Sequence, residues 1–137
     1  MSSEPLTDDD RDLIARAEET LLELYDPDRH TTGAALRTAD GTVYTAASVK
    51  GGTGKADLHA EPVALAQAMF DGHSEFDAVA AVQPAVEVED PTDGTRIVSA
   101  CGVCRELLIA PAPELWVVLP GEGAEPRKRR LSALLPE

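Results

Sequence analysis

Aromatic side chains are scarce in this chain: two Phe, two Tyr and one Trp, 4% of 137 residues. A core with so few rings must rest on Leu, Val, Ile and Ala, and the surface offers little on which nucleic-acid bases could stack. Positive charge is scarce too. Twelve Lys and Arg face 25 Asp and Glu, a net charge of −13, which argues against general binding to phosphate backbones or anionic lipid. Only three of the bases are lysines (Lys50, Lys55 and Lys128). An acidic, Lys-poor surface suits a high-salt cytoplasm and equally a plain protein encoded by GC-rich DNA. No apolar run approaches the roughly 18 residues of a membrane span. The acidic start, "MSSEPLTDDDRD", has no apolar stretch of the signal-peptide kind, and these two absences together predict a cytoplasmic protein. Cysteine occurs only at Cys101 and Cys104, too few for a disulfide scaffold.

The length is that of one ordinary domain, so residues 1–137 are expected to form a single unit that needs neither disulfides nor metal merely to fold. Thr7 followed by Asp8, Asp9 and Asp10 predicts a helix start, with a capping residue and acids at the positive end of the helix dipole. Leu13, Ile14, Ala17, Leu21, Leu22 and Leu24 then recur at helical spacing until Pro27 in "YDPD" blocks continuation. Asp40-Gly41, between two runs of small, β-branched and apolar residues, predicts a hairpin. "VKGGTGKAD" reads as a mobile glycine-rich connection, since its spacing matches no phosphate-binding loop. A helix is expected from about His59 to Phe70, ended by "DGH". A strand "FDAVAAVQP" should follow, then strand, turn and strand across "AVEVEDPTDGTRIVSA". "CGVCRELLIA" reads as a short helix stopped by "PAP", "ELWVVLP" as a buried strand, and "RKRRLSALLPE" as a loop and a short last helix. Strands alternating with helices predict a mixed sheet with helices on its faces. The basic run 127–130 suits pairing with acids of a neighbouring subunit, a solvated surface, or a phosphate contact.

The chemistry-bearing residues gather at two predicted helix mouths. Cys101-x-x-Cys104 opens one helix, where backbone N–H groups and the dipole favour thiolate. Alone, this pair fits a redox couple or half a zinc site. His59 offers a third ligand, 42 positions upstream of Cys101. Two thiolates and a neutral imidazole balance Zn²⁺ and leave the fourth position open, as catalytic sites require. Glu61 stands two residues from His59. Within a helix such a pair points apart. At a helix mouth, which Pro62 marks, both can project into the space beyond. Glu61 is then placed to move protons to and from metal-bound water, although His59 alone would serve as a cap and Glu61 alone as a dipole-facing acid.

His-x-Glu followed by Cys-x-x-Cys is the signature of zinc deaminases. The chain resembles the cytidine deaminase superfamily, in particular its small free-nucleoside branch. The resemblance rests on "TTGAALRTADGTVYTAASV", "HAEPVAL", "SACGVCRELL" and "LSALLPE", in that order, across nearly the whole chain. It is also similar to blasticidin-S deaminase in its compact layout and "LLP" ending. The resemblance implies a three-layer α/β/α sandwich around a mixed five-stranded sheet, and a homo-oligomer, tetramer or dimer, with sites near subunit interfaces. It implies His59, Cys101 and Cys104 as zinc ligands and Glu61 as the proton shuttle. The backbone of Ala60 and the carbonyl of Ser99 match contacts to the reacting end of the base. The implied reaction is hydrolytic deamination of a small aminopyrimidine or nucleoside-like molecule by a zinc-activated water. A nucleic-acid-editing deaminase, which wants basic and aromatic surface, and a non-catalytic zinc-binding relative, which has no use for Glu61, are the alternatives.

The chain also departs from that pattern. Ala100 stands where the family has Pro before the first Cys, and the spacing from His59 to Cys101 is longer, with the extra length expected in "VEVEDPTDG". His30 is nearest to where an aromatic precedes the first strand. Ser48 and Lys50 occupy the positions of the ribose-binding Asn and Glu, so an ammonium that only donates replaces a carboxylate that accepts. The resemblance therefore implies retained deamination chemistry with altered recognition of the sugar.

Overall fold

The computed structural model describes residues 3–51, 57–85, 94–99, 102–121 and 125–134, with the backbone alone over 102–105. Helix α1 spans Asp8–Leu24. Its start is a reciprocal capping box. The Asp10 amide donates to Thr7 Oγ1 at 3.1 Å, and the Thr7 amide donates to the Asp10 carboxylate at 3.0 Å. Leu13, Ala17 and Leu21, one helical face, are buried against the sheet.

The predicted hairpin is strands β2, Gly33–Thr38, and β3, Val43–Ala47, paired antiparallel. Gly41 takes φ +93°, and the Asp40 carboxylate accepts from the Thr42 amide and hydroxyl at 3.1 and 2.8 Å. Gly33 is required for a different reason. A Cβ there would lie 2.5 Å from the Ala17 carbonyl oxygen and 2.9 Å from Leu21 Cβ, because α1 lies directly on the start of β2.

Strand β4, Phe76–Pro84, forms the middle of the sheet. It pairs antiparallel with β2 along one edge. Its other edge is shared by β5, Thr95–Val98, antiparallel to Ala81–Pro84, and by β6, Trp116–Leu119, parallel to Ala78 and Val79. Residues 86–93, where the preceding strand and turn were expected, lie outside the described residues, as do residues 52–56 of the glycine-rich connection.

Helices α2, Ala60–Phe70, and α3, Gly102–Ile109, pack against each other, α2 also on the sheet face opposite α1. Alternation along the strands separates the two apolar layers. Leu36, Val79 and Val117 join Ala64, Leu65 and Leu108 on one face, whereas Ala35, Ala78, Ala80 and Val118 join Leu13, Ala17 and Leu21 on the other. The result is the expected three-layer α/β/α arrangement. No helix among the described residues is long and apolar enough to cross a membrane.

The sheet has seven described strands rather than five. The five expected are β2 to β6. The additions come from the basic run, which the sequence reading placed in a loop. Arg127–Arg130 is strand β7, antiparallel to β6, and it carries the two-residue β1, Glu4–Pro5, on its outer edge. Its cations are engaged within the chain. Lys128 is 7% exposed and donates to Asp10 at 2.7 Å. Arg127 donates to the Ser3 hydroxyl and carbonyl at 2.6 and 2.8 Å. Arg130 stacks 3.9 Å from the centroid of Trp116 and donates to the Glu114 carbonyl. Asp10 itself is 0% exposed, and it also accepts from Arg37 at 2.8 Å. Burial pushes its carboxyl up, but hydrogen bonds from Lys128, Thr7 and Arg37 outweigh this and hold it far below the usual range. The last described element is a 3₁₀ turn, Leu131–Ala133, with Leu131 buried.

Candidate active site

The mouth of α2 is set by small residues. Ala60 is buried against Ala34 of β2 and Ala81 of β4, so the first turn lies close to the sheet. Pro62 falls in that first turn, where no intrahelical N–H is needed. His59 is the N-cap in extended conformation (φ −77°, ψ 151°), and its imidazole does not cap the helix by a hydrogen bond. Glu61 is 5% exposed. Burial pushes its carboxyl up, and its own amide and the nearby His59 offset this only in part.

A cavity of about 310 Å³ opens beside this mouth, at the ends of the strands. His59, Ala60 and Glu61 line it from α2. Thr31, Thr32 and Ser48 flank β2 and β3, Gln83 and Val98 come from the ends of β4 and β5, and Ser99 follows. At the rim, Val49 and Leu58 exchange two backbone hydrogen bonds of 2.8 Å, which bring Lys50 and Asp57 to the cavity. The structure thus gathers His59, Glu61, Ser48, Lys50, Ala60 and Ser99 around one space. Cys101 lies outside the described residues, and of Cys104 only the backbone, in the first turn of α3, is described. Among the described residues no three His, Cys, Asp or Glu side chains cluster as a metal site.

The polar contacts of this cavity are specific. Ser48 Oγ accepts from the amides of Thr31 and Thr32 at 3.2 and 3.0 Å. The Ser48 carbonyl accepts from His30 Nδ1 at 2.8 Å, so that nitrogen carries the proton. Lys50 Nζ donates to the Pro27 carbonyl at 3.3 Å, and Asp57 accepts from the Gly51 amide at 2.9 Å. Gln83 bridges two strands: its Nε2 donates to Thr32 Oγ1 at 3.0 Å and its Oε1 accepts from Arg96 at 3.2 Å. Sequence reasoning missed Thr32, Gln83 and Asp57 as lining residues. Gln83 had a signal, as the one polar residue in the second half of an apolar strand. Thr32 and Asp57 had none apart from their neighbours.

No family model matches the chain. Blasticidin-S deaminase of Bacillus cereus is 33% identical over 119 residues, 86% of this chain and 84% of that protein. Cytidine deaminase of Sporosarcina psychrophila is 32% identical over 97 residues, 70% of this chain and 65% of that protein. Among solved structures, cytidine deaminase from Burkholderia pseudomallei superposes with a TM-score of 0.74 at 29% identity, covering 96% of this chain and 98% of that one. Cytidine deaminase from Mycobacterium tuberculosis superposes at 0.70 with 27% identity, over 93% and 94% of the two chains. With the three-layer fold, these relationships show that the chain belongs to the cytidine deaminase superfamily.

Proposed function

We propose that this chain is a zinc-dependent hydrolytic deaminase of a small aminopyrimidine or nucleoside-like molecule, with residues 1–137 acting as one catalytic domain in the cytoplasm. The observation that carries the reading is Glu61. A buried carboxyl stands at the mouth of α2, next to a His59 that does not cap the helix, and both line a cavity of about 310 Å³. Its own amide reaches this carboxyl, but no salt bridge among the described residues holds it, and proton transfer to a bound ring would use it.

The donor set suits zinc. His59, Cys101 and Cys104 would hold the ion, the two thiolates and one neutral imidazole matching its charge and softness. When bound, zinc supplies a water whose pKa is brought toward neutrality. Glu61 takes a proton from water at a carboxylate oxygen, delivers it to the ring nitrogen beside the amino-bearing carbon, and then passes a proton to the departing amine. Water replaces the amino group and ammonia leaves. The Ala60 amide and the Ser99 carbonyl orient the reacting end of the base. Burial of Ala60 against the sheet keeps that amide from drifting. The basic run gives no support to a polynucleotide substrate, because Lys128, Arg127 and Arg130 are engaged within the fold. Homo-oligomeric assembly belongs to the same reading, since Phe70, at the end of α2, is 90% exposed and Leu107 on α3 is exposed as well.

Ammonia release tests this, measured on zinc-loaded wild type and Glu61→Gln across cytidine, deoxycytidine, cytosine, blasticidin-type nucleosides and aminopurines. Glu61→Gln keeps the shape but cannot carry the proton, and turnover should fall by about 10²–10⁴ with zinc retained. Wild-type turnover in that variant would remove Glu61 from the chemistry.

A further inference from the structure

One wall of the cavity offers mainly hydrogen-bond donors, and this follows from how its groups' acceptors are filled or lacking. A serine hydroxyl has two acceptor lone pairs and one proton. Ser48 Oγ receives the amides of both Thr31 and Thr32, so its lone pairs are filled and its proton is left to donate. Thr32 is set in part through a relay, which fills one of its two lone pairs. Arg96 can only donate, so the Gln83 atom it meets at 3.2 Å is the amide oxygen. The Gln83 nitrogen then faces Thr32 and donates to Oγ1 at 3.0 Å, which turns the Thr32 proton away from Gln83. Lys50, near the rim, has three N–H donors and no acceptor. Among the described residues its ammonium meets only the Pro27 carbonyl, at 3.3 Å, and forms no ion pair. All three residues line the cavity.

Ribose hydroxyls need acceptors as well as donors, and this wall supplies mainly donors. Glu61, nearly fully buried, marks the floor of the cavity. Lys50 is half-buried, and exposed Leu58 marks the rim, so the wall meets the part of a substrate away from the reacting carbon. Among the described lining residues the other acid is exposed Asp57, whose Oδ1 already accepts the Gly51 amide.

We propose that Ser48, Thr32 and Lys50 form an oxyanion-binding wall, selecting a substrate whose sugar-side group is a carboxylate or phosphate, with Gln83 as the positioning residue that aims the Thr32 proton. This rests on the deaminase reading for the identity of the base but not for the preference itself.

The test compares cytidine, cytidine 5′-carboxylic acid and cytidine 5′-monophosphate as substrates. In parallel, calorimetry measures binding of uridine, uridine 5′-carboxylic acid and uridine 5′-monophosphate. At least one acidic form should exceed the neutral one by about tenfold or more in kcat/KM and in affinity, the usual return of charge-assisted hydrogen bonds. Which acid wins separates carboxylate from phosphate. Lys50→Met and Thr32→Val should each shrink the ratio of acidic to neutral. Gln83→Glu should shrink it too, through KM rather than kcat, because a carboxylate beside Thr32 draws its proton away from the cavity. Asp57→Asn should enlarge the ratio. Equal or better turnover and binding of the neutral forms overturns the wall and leaves the deaminase reading standing. A binding preference for acids with no turnover of any substrate upholds the wall and overturns the deaminase reading. A ratio unchanged in both Lys50→Met and Thr32→Val overturns the wall.

Discussion

Replacing Asp10 by Asn removes one negative charge from the interior and turns one of its two acceptor oxygens into a donor. The Asn side chain can still accept the Thr7 amide, so the capping box, worth about 1 kcal/mol, is largely preserved. Two cations lose their shared partner. Arg37 keeps Asp77 at 2.7 Å, so its charge remains paired. Lys128 does not: its ammonium lies 2.7 Å from Asp10, its side chain is 9% exposed, and the Trp116 ring at 4.7 Å is its other charge-stabilising neighbour. A cation–π contact of about 0.5–2 kcal/mol cannot replace a buried counter-ion. Removing one member of a buried pair costs about 3–5 kcal/mol. For a chain of 137 residues, an unfolding entropy near 2.1 cal/mol/K per residue makes that a fall in Tm of about 10–17 °C.

The sign with pH is also determined. The folded carboxyl is held below its ordinary value of 3.8, so Asp10 contributes its full stabilisation above that value and loses it as pH falls below. Thermal unfolding followed by circular dichroism, at one protein concentration, should show a constant gap between wild type and Asp10→Asn from pH 8 to 5 that closes below about pH 4. The double variant Asp10→Leu/Lys128→Met, which removes both charges, should recover most of the loss. A loss under about 1 kcal/mol at pH 7, or a gap that persists unchanged in acid, would refute the claim that Lys128 depends on Asp10.

Two further outcomes are expected. Wild type should carry about one zinc per chain by elemental analysis, lost in Cys101→Ala and in Cys104→Ala, because a three-ligand site cannot spare one; full metal content in both would discard the ligand set. Gly33→Ala should lower the urea midpoint by an amount worth about 1–3 kcal/mol, since the new Cβ meets the Ala17 carbonyl at 2.5 Å; an unchanged midpoint would mean that α1 does not press on β2.

The helix mouth of the candidate site was legible because its signals are local. Pro62 in a first turn, His59 before it and Glu61 beside it define a helix mouth within four residues, and the structure has that mouth at Ala60. Asp40-Gly41 needed only the backbone freedom of Gly41 to predict the hairpin. Asp10 was half legible. Its capping role depends on Thr7, three residues away, but its burial depends on Arg37 and Lys128, 27 and 118 positions away.

The sequence by itself determined where helices and turns begin, which face of each strand is apolar, and which residue types meet at the mouth of α2. Each of these follows from backbone preference or side-chain periodicity over a few residues. Only the tertiary structure decided that the basic run is a strand, that its lysine is buried, and that Gln83, 51 positions from Thr32, donates to its hydroxyl. The physical reason is the same in each case. A charge or a hydroxyl acquires its role from the partner that spends its donors or acceptors, and in a mixed sheet that partner arrives from a distant strand.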